Sequence, residues 1–198
     1  MFSYLPRDLE HYPEIYSLLN IEFEGVYFTP KTIWRDMLRR CYVPSIQAKY
    51  PTYIGCTVSD TFKVYDSFQD WYFDQVACLI KGWQIDKDLL IKGNKLYSED
   101  TCTLLPKEIN IALINCKAKR GCLPVGVSAS STKGKYLSQI SLDGRSEYLG
   151  TFSTAEQAFL AYKQAKEAHL SNLAEKYKLL LDPRAYHALK NYQVEITD

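Results

Sequence analysis

The chain has 198 residues, 46% hydrophobic and 24% charged, enough for one large or two small globular domains that bury a core without staples. No apolar run approaches the ~18 residues of a membrane span, and Arg7, Asp8, Glu10 and Glu14 stand where a secretory signal needs an apolar stretch. Six scattered cysteines make no disulfide scaffold, so a cytoplasmic protein with reduced thiols and no membrane partner is expected.

The net charge of +1 is unevenly spread. Residues 1–30 set Arg7 against five acids, net −4, whereas residues 117–150 set Lys117, Lys119, Arg120, Lys133, Lys135 and Arg145 against Asp143 and Glu147, net +4. A local basic stretch of this kind suits a nucleic-acid partner. Sixteen tyrosines suit surfaces that are half buried and half polar.

In chain order, residues 1–30 read as an acidic, Tyr-rich extension with one short helix near residues 14–19. From Thr32 a helix is predicted, with Ile33, Met37, Leu38 and Cys41 on one face and Arg35, Arg39 and Arg40 elsewhere. Pro44 and Pro51 then predict a loop. A second helix follows, capped by Ser59 or Asp60, with Phe62, Tyr65, Phe68 and Trp71 spaced by three as core positions. Between Trp83 and Asn110 the period changes. Ile85 and Leu89–Ile91 lead into Lys92-Gly93-Asn94-Lys95 and then Leu96-Tyr97, which predicts a β-hairpin or similar finger. A turn at residues 98–102 and a helix from Pro106 through Leu113 complete this part.

Residues 117–122 form a basic linker. Beyond it Val125, Val127 and Ala129 alternate with polar residues, as do Tyr136, Ser138 and Ile140. Asp143-Gly144 is a strong hairpin turn, and Ser146–Phe152 continues as a third strand. Ser153-Thr154-Ala155-Glu156 matches a capping box opening a long helix, with Phe159, Tyr162, Ala165, His169, Leu173 and Tyr177 on one face. Asp182-Pro183 ends that helix, and one further short helical turn is expected after it.

Gly126-Val127, Gly134-Lys135-Tyr136, Ile140, Tyr148-Leu149-Gly150-Thr151-Phe152 and Thr154-Ala155-Glu156-Gln157-Ala158 to Ala161-Tyr162 resemble the ethylene-response-factor (Apetala-type) DNA-binding domain. That family is known from plant transcription factors and from phage homing-endonuclease relatives. The resemblance implies a three-stranded sheet lying in the major groove of double-stranded DNA with a helix behind it, a groove that admits such a ribbon. Position by position, it implies that Gly126, Ser128, Ser130, Lys133, Lys135, Gln139, Ser141, Ser146 and Tyr148 face the groove. The basic arm Lys117, Lys119 and Arg120 would add backbone contacts. Ser128, Ser130, Ser141 and Ser146 replace arginines of the plant pattern, and serine carries neither charge nor bidentate fork.

The preceding part is similar to phage HNH (His-Me finger) endonucleases. Trp34, Met37-Leu38-Arg39-Arg40-Cys41-Tyr42, Tyr53, Gly55, Val58, Phe62, Tyr65, Phe68 and Trp71 fit their helical lead-in. Asp86-Lys87-Asp88, Gly93-Asn94, Tyr97-Ser98 and Thr101-Cys102 fit their finger. An HNH site needs a neutral histidine as base beside a bound metal, but Lys87 stands at the histidine's place, and His11, His169 and His187 are far from it in sequence. The expected protein is therefore a DNA-binding derivative of a homing endonuclease with its nuclease lost, in the cytoplasm of a bacterial host. An active enzyme would hold Mg²⁺ through Asp86, Asp88, Asn94 and Asn110; otherwise no cofactor is expected.

A third reading is a phage protein that inhibits a host nucleic-acid-handling defence system, with the acidic extension occupying a basic partner groove. The cysteines at 41, 56, 78, 102, 116 and 122 contain no C-x₂-C pair and predict buried thiols and no structural metal. The expected fold is α+β: an HNH-like helix and β-hairpin unit, then a three-stranded antiparallel sheet packed on one long helix. Its divisions are 1–30, 31–116, 117–122, 123–181 and 182–198.

Overall fold

Ile33, Met37 and Cys41 recur every four residues and are buried along α1 (Pro30–Tyr42). The computed structural model describes residues 30–75, 77, 82–114, 122–142 and 144–198. Residues 1–29 of the acidic extension, 117–121 of the basic linker 117–122, and Asp143 lie outside them. The chain is a mixed α+β protein of two units, one running through Lys107 and including Tyr177–Tyr186, the other comprising Glu108–Lys176 and His187–Asp198. No helix among the described residues is long and apolar enough to cross a membrane.

In the first unit, the loop expected at Pro44 and Pro51 is instead helical: α2 (Pro44–Lys49) begins on the first proline, and a 3₁₀ turn (Pro51–Tyr53) begins on the second. Proline lacks only an amide that the first turn leaves unbonded anyway, and its fixed φ favours the helix start. The expected single aromatic helix is two. After β1 (Thr57–Val58), Ser59 caps α3 (Asp60–Lys63), its Oγ accepting the Phe62 N–H at 3.1 Å; Val64 is extended, and α4 (Tyr65–Phe73) starts afresh. A spacing of three falls about 60° short of a full turn at each step, so a continuous helix would wind the stripe around its axis. The break resets the phase. Phe62, Phe68 and Tyr72 are buried, and Phe62 meets Phe68 edge-on at 5.1 Å. The Trp34 indole N–H donates to the Phe62 carbonyl at 2.8 Å and ties α1 to this pair.

The tight hairpin expected about Gly93-Asn94 does not form. β2 (Trp83–Asp86) pairs antiparallel with β4 (Thr103–Pro106), while β3 (Leu96–Tyr97) pairs in parallel with β1, Val58 opposite Tyr97. Gly93 has the expected positive φ, +76°, but Asn94 beside it clamps a loop rather than turning a ladder. Its Nδ2 donates to the Lys87 and Leu96 carbonyls at 2.9 and 2.6 Å, and its Oδ1 accepts the Leu96 N–H at 3.0 Å. The tail from 182 is also more than a tail. Asp182 accepts the Arg184 N–H at 2.8 Å and starts α7 (Pro183–Lys190). The Arg184 guanidinium bonds Asp182 and donates to the carbonyls of Asp100, at 3.0 Å, and Glu99.

The second unit contains α5 (Lys107–Ala112) through its residues from Glu108, and a sheet in the order β5 (Val127–Ala129), β6 (Tyr136–Leu142), β7 (Arg145–Phe152). Both pairings are antiparallel. Leu142 lies opposite Arg145, the two-residue connection that Asp-Gly predicts, and Gly144 has φ +76°. One side of the sheet packs on α6 (Ala155–Lys176), where Val125, Val127, Ile140, Ala158, Phe159, Tyr162 and Val194 form one core. The capping box sits one residue later than predicted: Thr154 Oγ1 accepts the Gln157 N–H at 3.2 Å, and the Gln157 side chain accepts the Ser153 N–H. The buried face of α6 runs through Ala158, Tyr162, Lys166, Leu170 and Ala174, so Ala165 and His169 lie on its margin.

Candidate functional site

Antiparallel pairing places cross-strand partners on the same face of a sheet. Val127, Ser138 and Gly150 form one such row, and Ala129, Tyr136 and Phe152 another, both toward α6. The opposite face therefore carries Ser128, Leu137 and Thr151 in one row, Gln139 and Tyr148 in the next, and Ser141 with Ser146 beyond. Of the residues expected to face the groove, Ser128, Gln139, Ser141, Ser146 and Tyr148 share this surface. Gly126 does not: it lies against the Tyr162 ring on the helix side, where a Cβ would overlap that ring.

Ser130, Lys133 and Lys135 sit on the β5–β6 connection, which closes with the Ser130 N–H donating to the Lys135 carbonyl at 3.0 Å. Lys133 and Lys135 are exposed, and the Lys135 ammonium donates to Ser153 Oγ at 2.9 Å. Lys117, Lys119 and Arg120 lie outside the described residues. Leu137 and Thr151 were missed by sequence reasoning, although the alternation that selects Gln139 also selects Leu137. Arg145 lies at the far end of β6 from Lys133 and is exposed.

A β-bulge interrupts the face. Gln139 pairs with Tyr148 and Ser138 with Gly150, leaving Leu149 as the extra residue. Gly150 takes φ +141°, a value side-chain-bearing residues rarely adopt. Such a bulge raises the local twist and re-aims the neighbouring side chains. Tyr148, 64% exposed, is steadied by a 2.8 Å hydrogen bond between its hydroxyl and Thr151 Oγ1.

The other candidate site, around Lys87, is closed by its own hydrogen bonds. The Lys87 ammonium is buried and donates to both Asp88 carboxylate oxygens and to the Asn94 carbonyl, each at 2.7 Å. Asp86 Oδ1 accepts the N–H groups of Asp88 and Leu89 at 2.9 and 2.7 Å. Burial lifts the Asp86 carboxyl above the usual carboxylate range, against the pull of those two N–H groups. Asp88 and Asn94 thus come together around a lysine ammonium, while the Asp86 carboxylate holds the adjoining turn through the Asp88 and Leu89 N–H groups. The Mg²⁺ that an HNH site implies does not fit this set. Asn110 lies on α5, in the second unit. Among the described residues no group of three or more His, Cys, Asp and Glu side chains could hold a metal ion.

Cys41, Cys56 and Cys102 are buried as expected, whereas Cys122 is exposed. Burial pushes the Cys41 thiol up to about 11 and the Cys102 thiol up to about 12, so both remain protonated and unreactive at neutral pH. Comparisons with protein-family models, curated proteins and solved structures found no match to this chain.

Proposed function

We propose that this protein binds double-stranded DNA through the face of β5–β7 turned away from α6, and that its first unit is an HNH-derived scaffold without cleavage activity. The supporting observation is the layout of that face. Its rows carry no charge, and the exposed cations Lys133 and Lys135 stand at one end of β6, whereas Arg145, paired with Leu142, belongs to the helix side. Seven extended residues cover about 20 Å, the length of roughly six base-pair steps at ~3.4 Å each. The two lysines thus reach phosphates at one edge of a site whose base edges meet the neutral rows. The loss of cleavage is inferred from Lys87, which takes the histidine's position on the HNH resemblance and whose ammonium is held by Asp88 and the Asn94 carbonyl.

The test is a titration of the full chain against a 20-base-pair duplex over a range of salt concentrations. With the two described lysines engaged, log K falls against log salt with a slope of about −1.8 or steeper. Replacing Lys133 and Lys135 together with Ala flattens the slope by about 1.8. Absence of duplex binding at low salt overturns the reading and leaves capture of a host protein by the acidic extension as the leading alternative.

A further inference from the structure

Resting on that reading, we infer that the sheet prefers A·T base pairs, with Gln139 bonding an adenine and Leu137 packing on a thymine methyl two base pairs away. A face built on arginine would favour guanine, whose O6 and N7 take a guanidinium fork. This face has no arginine in its rows, and its centre is an amide. Gln139 is exposed on the middle strand, and no hydrogen bond to a described residue engages its side chain, so both its donor and its acceptor are available. A glutamine amide presents one donor and one acceptor side by side, the pattern that complements adenine N7 and N6.

Three features aim that amide. The bulge opposite Ser138 falls immediately before it, Tyr148 stands beside it as its cross-strand partner, and the Tyr148 hydroxyl is tied to Thr151. Leu137 is two residues along the same strand and on the same face, flanked by Ser128 and Thr151. Residues i and i+2 of a strand lie about 6.7 Å apart, the rise of roughly two base pairs. An aliphatic side chain in the major groove finds one apolar partner there, the C5-methyl of thymine. The adjoining serines bond either donors or acceptors and impose no counter-preference.

The experiment measures binding of the full chain to three duplexes of equal length at one low salt concentration: alternating A·T, the same duplex with 7-deazaadenine for adenine, and the same duplex with deoxyuridine for thymidine. An alternating G·C duplex is the reference. The A·T duplex binds about tenfold tighter than G·C, and removing N7 or the methyl each erodes that preference. Gln139→Ala removes the sensitivity to 7-deazaadenine and keeps the sensitivity to deoxyuridine; Leu137→Ala does the reverse. Both positions lie on the face away from the core, and matched thermal melts check that both variants fold. Equal binding to A·T and G·C, or variants that keep the sensitivities of the parent chain, overturn this inference while leaving DNA binding in place. No binding to any duplex overturns the DNA reading itself.

Discussion

Gly126 lies so close to Tyr162 that a Cβ on residue 126 would overlap the ring atoms Cδ2 and Cγ, and its φ of +74° is one that side chains resist. Tyr162 is 5% exposed and belongs to the core joining α6 to the sheet, so it has no open side to retreat into. Gly126→Ala therefore carries both a backbone cost and an overpacking cost, together about 2–4 kcal/mol. Gly134 has nearly the same φ, +73°, but a Cβ there would meet nothing within 4 Å, so Gly134→Ala costs only about 1 kcal/mol. Urea denaturation of the two variants separates the terms; equal losses would show that the Tyr162 contact contributes nothing.

The sheet and α6 were legible in the sequence because each level agreed: alternation, an Asp-Gly turn, and Ser/Thr followed by Glu or Gln. The first unit was much less so. β1 and β3 are two residues each and pair in parallel, Thr57 with Leu96, across a long stretch of chain. Two residues carry no period, and no local turn announces a parallel partner. Gly93-Asn94 has hairpin chemistry, yet the Asn94 side chain bonds backbone groups on both sides of the loop, a use that the dipeptide alone does not reveal. At the candidate site the family resemblance pointed to Gln139 and Tyr148, but the bulge beside that pair depends on register, which pairing alone determines.

On the HNH reading proposed above Lys87 takes the histidine's position, and its surroundings predict that a histidine there gains nothing. Its ammonium, with the side chain only 6% exposed, holds Asp88 and the Asn94 carbonyl at 2.7 Å. Histidine is too short and too wide to make the same three contacts from that buried position. Lys87→His and Lys87→Met each lower stability by about 2 kcal/mol, the loss of charge-assisted hydrogen bonds to partners left buried or half buried. Neither gains plasmid cleavage with Mg²⁺ or Mn²⁺. Cleavage by Lys87→His, abolished by Asp86→Ala, would restore the enzyme reading.

Arg184 is the clasp of the segment Tyr177–Tyr186 on the first unit. Its guanidinium meets the Asp182 carboxylate at 2.7 Å and the Asp100 carbonyl at 3.0 Å, with longer contacts to Glu99 and Cys102. The side chain is 45% exposed, so solvent screens much of the charge interaction and the fork geometry carries the effect. Arg184→Ala costs about 1 kcal/mol. Arg184→Lys recovers less than half of it, because one ammonium cannot serve the carboxylate and the separate carbonyls together. Full recovery by lysine, measured by urea unfolding, would reduce the clasp to a simple ion pair.

Lys166 gives the last prediction, and its sign follows from where it sits. It lies on the buried face of α6, one turn beyond Tyr162 and one before Leu170, and is 6% exposed with no hydrogen bond or ion pair to a described residue. Burial lowers its pKa from the usual 10.5. Between the lowered folded value and 10.5 the unfolded chain holds the proton that the folded chain has released, so this group makes stability rise as pH rises through that window. Below the window the folded state carries the full cost of a desolvated ammonium. Lys166→Met keeps an unbranched side chain of similar length and removes the charge, so it stabilises the protein at pH 7 by roughly 1 kcal/mol. The advantage shrinks as the pH rises through the window between the lowered folded value and 10.5, where the native lysine sheds its proton. Urea unfolding of both proteins at one-unit steps from pH 7 to 10 measures the gap. A gap that does not change with pH would mean that the ammonium reaches water freely, and a destabilised Lys166→Met would mean that it holds an interaction the folded state needs.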